Sequence, residues 1–239
     1  MTEQSVTPRG KSAPPDKNGR AALLAAQRPT KRKRTPNRVR RAISREAVLK
    51  SARSLFVTRG YLATSVDDIA SRAELSKGGL YFYFGDKSQI LRELLLQSSA
   101  LYAGIVETLN NAKLDPRDRI AVWVNEVSRL GAEEPELILL PILVSLEFLG
   151  KDDEIEHLVK AHYEAVYRGL MSALRQGRKA GLFRRDSPLR EEAATLAALA
   201  DGALLEWLRR KDQLNGEALV RTLRHFVLTG IAVGRKSGN

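Results

Sequence analysis

The residues best suited to polar recognition crowd into the stretch Ser76 to Lys87, SKGGLYFYFGDK. Lys77 and Lys87 offer positive charge, Tyr81 and Tyr83 offer phenolic donors, and Ser76 and the upstream Thr64 carry hydroxyls. Such groups suit phosphate oxygens and the acceptor-rich edges of bases. Gly78 and Gly79 lack side chains, so a short helix built on them can bring its backbone close to a groove floor. Leu80 and Phe84 read as the side that packs inward, and Phe82 is open between core packing and the exposed face. The chemistry this stretch suggests is non-covalent recognition of a polyanion.

Elements that would hold it follow from helical spacing. Ser44 is an N-cap candidate, and Val48, Leu49, Ala52, Leu55 and Phe56 then recur at the helical period until Gly60, predicting a first helix that ends near Thr58. Thr64 with Asp67 predicts a capping box for a second, and Glu74 and Leu75 predict a turn. Ser76 caps a very short third helix, Lys77 to about Phe84, too short to persist without a scaffold. Two short helices across a tight turn are the layout of a helix-turn-helix. Asp86 with Gln89 caps a long fourth helix running to about Asn111.

The remainder stays helical, so the expected class is all-α: a three-helix domain at 42–88 and a larger helical domain at 89–239. Pro116 opens a fifth helix. PELILLPILVSLEFL, residues 135–149, is apolar nearly all round and predicts a buried helix kinked or split at Pro141. Helices over about 153–180, 188–210 and 217–234 complete the chain, the first stopped by Gly181.

Charge is divided unevenly. Residues 1–43 hold twelve Lys or Arg against Glu3 and Asp16, residues 44–90 carry a net +2, and the rest is neutral, so the whole +12 lies in the recognition half. Residues 1–41 read as a disordered basic arm, apart from a helical turn near Ala21 to Gln27, and its Lys31 to Arg34 run favours phosphate attraction. There is no Cys, and His157 and His162 are five apart, which does not place them on one helix face; no HExxH, GxGxxG, Walker loop or GxSxG occurs. No catalytic residues, metal or cofactor are expected, and the chain is not expected to be an enzyme. With no apolar run long enough for a membrane or export segment near the start, a cytoplasmic location is expected.

Residues Thr64 to Leu91, TSVDDIASRAELSKGGLYFYFGDKSQIL, closely resemble the DNA-binding core of the tetracycline-repressor (TetR) family, in detail over about residues 42–92. The resemblance implies that Thr64, Lys77, Tyr83 and Lys87 touch phosphates and that Gly78, Gly79 and Tyr81 approach base edges or the adjoining backbone; Ser76 joins them as a DNA-binding candidate, and so does Phe82 where it is not taken up by the core. Three positions depart from the family pattern. Glu74 stands where Gly is usual, Gly79 replaces Thr, Ser or Ala, and Phe82 replaces Tyr. A weaker module is implied, with the basic arm compensating.

The resemblance also implies a homodimer, double-stranded DNA as partner, and a small-molecule effector enclosed by the helical domain. The candidate pocket residues are Trp123, Leu143, Glu147, Phe148, His162, Tyr163, Tyr167 and Met171, with Trp207 nearby. Glu147 stands out because it interrupts the most apolar helix and needs a partner. A small-residue surface, Ala193 to Ala203, beside the Leu219 to Ile231 stripe predicts dimerisation through the last two long helices as a four-helix interface. The expectation is a repressor released from a near-palindromic operator by its effector; the alternative is an architectural, chromosome-organising DNA binder whose helical domain contacts another protein.

Overall fold

The computed structural model describes residues 37–151 and 153–233. The basic run Lys31 to Arg34 and the turn expected near Ala21 lie outside the described residues. Within them the chain forms nine helices: α1 Asn37–Arg59, α2 Val66–Arg72, α3 Lys77–Tyr83, α4 Lys87–Asn110, α5 Pro116–Glu133, α6 Pro135–Glu147, α7 Glu154–Lys179, α8 Leu189–Arg209 and α9 Gly216–Ile231. None of these is long and apolar enough to cross a membrane.

Most boundaries follow from the caps. Ser76 accepts from Gly79 N, Asp86 from Gln89 N, and Asp115 from Arg117 N ahead of Pro116, each meeting an orphan donor of a first helical turn. Two starts differ from expectation. α1 begins at Asn37, so Ser44 lies inside the helix and residues 37–41, assigned to the arm, have helical backbone. Arg and Ala are strong helix formers, and propensity carries the helix upstream where no apolar period marks it. At α2 the capping box is Ser65 with Asp68, one residue later than Thr64 with Asp67: Ser65 Oγ accepts from Asp68 N at 3.1 Å and Asp68 Oδ2 from Ser65 N at 2.9 Å.

α2 ends without a glycine. Leu75 N donates to Ala70 O at 2.9 Å and Glu74 N to Ser71 O at 3.2 Å, a Schellman closure that puts Glu74 at φ 55°. This is the left-handed region, where a Cβ is penalised by about 1 kcal/mol or more. Glu74→Gly is therefore expected to stabilise the chain by about 0.5–1 kcal/mol after the greater freedom of the unfolded glycine is counted. Urea unfolding reads this directly, and a lower midpoint for the glycine variant would refute the strain.

α6 runs unbroken through Pro141, so the predicted split does not occur. Its apolar circumference is not wholly buried either: Leu137, Leu140 and Val144 face inward, while Leu146 and the following Leu149 are 72% and 76% exposed.

The described residues from 41 onward form one compact unit containing two apolar cores. The first gathers α1, α2 and α3 around Phe56, Ile69, Leu80 and Phe84, and it continues into Leu140, Val144 and Phe148 of the α6 segment and Ile155 and Val159 of α7. The second joins α5, α7, α8 and α9. α4 serves both, giving Ile90, Leu91, Leu94 and Leu95 to the first and Tyr102, Ile105 and Leu109 to the second. The sequence division at 88/89 thus falls at the start of a helix that both cores share.

Candidate nucleic-acid interface and effector cleft

α3 turns Leu80 inward and its opposite side to solvent. On that side Gly78 is exposed, and Tyr81 and Phe82 are 45% and 62% exposed. Phe82 therefore belongs to the outer face, edge-on to the half-buried Tyr83 with ring centroids 5.2 Å apart. Lys77 is exposed and its Nζ donates to Asp67 Oδ2 at 3.0 Å, a bond that raises its pKa. Ser76 Oγ is engaged with Gly79 N at 3.1 Å, so its hydroxyl serves the helix first. A Cβ at position 79 would stand 3.2 Å from that Oγ, whereas position 78 opens on free space. Lys77, Gly78, Tyr81 and Phe82 are thus presented together on an exposed face that is held by its buried side.

Two expected phosphate contacts point elsewhere. Thr64 is 1% exposed and its Oγ1 donates to Gly60 O at 2.7 Å, which leaves the hydroxyl no route to DNA. Lys87 Nζ donates to Tyr61 O at 2.8 Å and Thr64 O at 2.7 Å and lies 4.1 Å from the Tyr61 ring centroid. Both residues tie down the α1–α2 loop.

Glu147 acts on the same loop. Its carboxylate accepts from Tyr61 N at 2.9 Å and Leu62 N at 2.8 Å, so the partner that a carboxylate on an apolar helix requires is backbone, and the residue lines none of the cavities described below. Phe148 follows it into the first core, its ring 5.3 Å from that of Tyr61. Leu143 and Met171 line none of the cavities described below; Met171 packs beside the second core.

The other pocket candidates converge. Trp123, His162 and Tyr163 surround a cavity of about 20 Å³ together with Tyr102 and Asp201. Tyr163 and Asp201 also border an open cleft of about 810 Å³ between α6, α7 and α8, into which Tyr167, Ile142 and Leu146 project. Tyr163 OH donates to Asp201 Oδ2 at 3.1 Å, Ser99 Oγ lies 3.1 Å from His162 Nδ1, and Trp123 Nε1 meets no acceptor among the described residues. Burial pushes the Asp201 carboxyl up to about 6 and the His162 imidazole down to about 4, and it raises both tyrosines. Cleft and cavity meet at one acid, with aromatic walls behind it. Apolar walls around a few convergent polar groups are the usual composition of a small-molecule site. Trp207 lies apart, in a groove of about 630 Å³ between α5, α8 and α9.

Sequence reasoning missed Asp201, Tyr102 and Ser99. Asp201 had a signal, a lone carboxylate inside the run ALADGALL. The others had none. Among the described residues no group of three or more His, Cys, Asp or Glu is placed to hold a metal ion.

The small-residue surface of α8 divides. Ala193, Ala197 and Ala200 pack within the second core, while Ala198, Leu199 and Gly202 face outward, as do His225 and Phe226 of α9, the last 67% exposed. Only the outward half is free for another chain.

Known proteins match this arrangement in both halves. The pattern described as "Bacterial regulatory proteins, tetR family" matches residues 48–94, and that of the "BetI-type transcriptional repressor, C-terminal" matches residues 142–232. The crystal structure of the MbdR regulator from Azoarcus sp. CIB is 39% identical, covers 80% of this chain and 100% of its own, and superposes with a TM-score of 0.71. The HTH-type transcriptional repressor SCO4008 of Streptomyces coelicolor is 25% identical over 158 residues, 66% of this chain and 77% of that protein. The Transposon Tn10 TetC protein of Escherichia coli is 35% identical over 63 residues, 26% of this chain, a match that spans only 32% of its own length. An outward-facing recognition helix on a packed three-helix head, an all-helical body, and similarity to MbdR along that protein's whole length agree: the chain belongs to the TetR family of bacterial regulatory proteins and is a DNA-binding transcriptional regulator.

Proposed function

We propose that the chain works as a homodimeric repressor in which residues 42–88 are the reading head. Two α3 faces, held about 34 Å apart, enter successive major grooves of a near-palindromic operator. The carrying observation is the outward face of Lys77, Gly78, Tyr81 and Phe82, fixed from behind by Leu80 and Phe84. Leu199 and Phe226, 44% and 67% exposed on adjacent helices, support pairing through α8 and α9. Of the relatives named above, MbdR is a regulator and SCO4008 a transcriptional repressor, which gives the chromosome-organising alternative no support.

The effector enters the cleft between α6, α7 and α8. Its inner end meets Asp201, an acceptor, so the molecule that fits is apolar with a hydrogen-bond-donating group at its buried tip. A ligand that binds better to a state with a wider inner cavity draws the protein toward that state, and the operator is released to the extent that the two states differ in DNA affinity.

Selection of binding sites from random duplex DNA with the purified chain tests the reading. The expected product is one sequence with two half-sites about one helical turn apart. Lys77→Ala should then weaken every sequence alike and lower the salt slope by about 1 per subunit, whereas Tyr81→Ala should change which bases are preferred. Failure of selection to enrich any sequence would overturn the repressor reading.

A further inference from the structure

α6 touches both halves of the proposed device. Its Ile142, Ser145 and Leu146 line the effector cleft, and Glu147 in its last turn holds Tyr61 N and Leu62 N. From the other side of the same loop Lys87, the first residue of α4, holds Tyr61 O and Thr64 O. Tyr61 thus has its amide on a carboxylate of the body and its carbonyl on the ammonium of α4. Its ring sits between Phe56 and Phe148, with centroids 5.2 and 5.3 Å away. The fit is close. Gly60 takes φ +87°, and a Cβ there would stand 3.0 Å from Glu147 Oε1. Four hydrogen bonds involving charged groups and two ring contacts converge on a loop that leads directly into α2, on which α3 packs.

We infer that Glu147 is a positioning residue for DNA reading: with Lys87 it clamps the α1–α2 loop, so that the tilt of the helix-turn-helix follows α6 and a displacement of α6 at the cleft reaches the DNA through this loop. The clamp stands on the geometry alone; its link to the cleft rests on the repressor reading above. The clamp also assigns Lys87 differently from the family resemblance. Its ammonium is half-buried among two carbonyls and a ring, and that burial lowers its pKa, as expected of a structural cation.

The test uses the full chain and the operator selected by the unmodified protein. Glu147→Gln removes a negative charge, so electrostatics alone predicts equal or tighter DNA binding. A lost clamp predicts the opposite, about 10-fold weaker binding with an unchanged salt slope and faster amide exchange across residues 60–64. Lys87→Met separates the two assignments for that residue: a phosphate contact would flatten the slope by about 1 per subunit, whereas the clamp lowers affinity at constant slope. For the link to the cleft, Ser145→Trp fills the cleft without any ligand and is expected to weaken operator binding in the natural background and to add little once Glu147→Gln is present. Equal or tighter binding by Glu147→Gln would overturn the clamp. Additive effects, or no effect of Ser145→Trp, would overturn the link. Neither outcome can be confused with failure of the repressor reading, in which the unmodified chain selects no operator at all.

Discussion

Asp201→Asn is expected to make the protein more stable at pH 7 while weakening its hold on the effector at least about 10-fold. Burial raises the Asp201 carboxyl from its ordinary 3.8 to about 6, so between those values the folded chain holds a proton that the unfolded chain has released. Stability from this group therefore falls as pH rises through that window, and the full penalty is present above it. Two pH units of displacement correspond to about 2–3 kcal/mol, which Asn avoids while keeping an oxygen for the Tyr163 hydroxyl. Buried His162 slopes the other way. Its pKa is lowered to about 4, so acidification through that range favours the unfolded chain, and stability from this group rises with pH. The two groups nearly cancel across pH 4–6, both standing beside the same small cavity. Urea titrations at pH 4, 5, 6 and 7 should show a flat contribution in the natural protein and a rising one in Asp201→Asn, with the curves merging at the acid end. A variant less stable than the natural protein at pH 7 would contradict this assignment. A buried acid that lowers stability at pH 7 and borders both the cavity and the cleft marks a candidate binding position.

Removing residues 1–36 is expected to lower operator affinity by about 100-fold at physiological salt and to flatten the dependence of log K on log salt by about 2–4, for one or two phosphate contacts per arm of a dimer. The boundary matters, because α1 begins at Asn37 and a cut at residue 40 would remove its first turn. The effect follows from the Lys31 to Arg34 run and the concentration of charge in residues 1–43, with residues 44–90 carrying only a net +2 and the rest of the chain neutral. Stability to urea should not change. An identical salt slope with and without the arm would remove it from the DNA-binding account.

Architecture was legible wherever a local rule decides it. Asp86, Ser76 and Pro116 announced their helices through first-turn chemistry, and Gly181 stopped α7 at φ +73° because the left-handed position is local too. The turn at Glu74 and Leu75 was legible too, but that position 74 is one where Gly is usual came from the family resemblance and not from a local rule. Errors arose where two local readings overlap or where the partner is remote. TSVDD contains two interlocked capping boxes one residue apart, and the Thr64 hydroxyl, buried and bonded to Gly60 O, is taken up elsewhere, which leaves the cap to Ser65. Periodicity on α6 marked Glu147 as unusual but could not show that it bonds backbone 85 residues away. The exposed Leu146 and Leu149 look like core because composition does not tell an apolar wall that faces a cleft from one that faces a neighbour. Lys87 shows the limit of resemblance: the residue type is retained, while its ammonium lies on two carbonyls.

The ion pair between Lys77 and Asp67 bears on kinetics. Before any phosphate arrives, the lysine of the recognition helix already has a carboxylate from α2 at 3.0 Å, exposed to water on both sides. With Lys77 as the proposed phosphate contact, an encounter with DNA exchanges that partner for a phosphate. The base contacts proposed for the rest of α3 add to the operator complex alone, separately from this exchange. On the proposed reading of Lys77 as a phosphate contact, Asp67 therefore costs operator and random DNA the same small amount, and it shortens the dwell time on both without changing the ratio by which the regulator tells them apart.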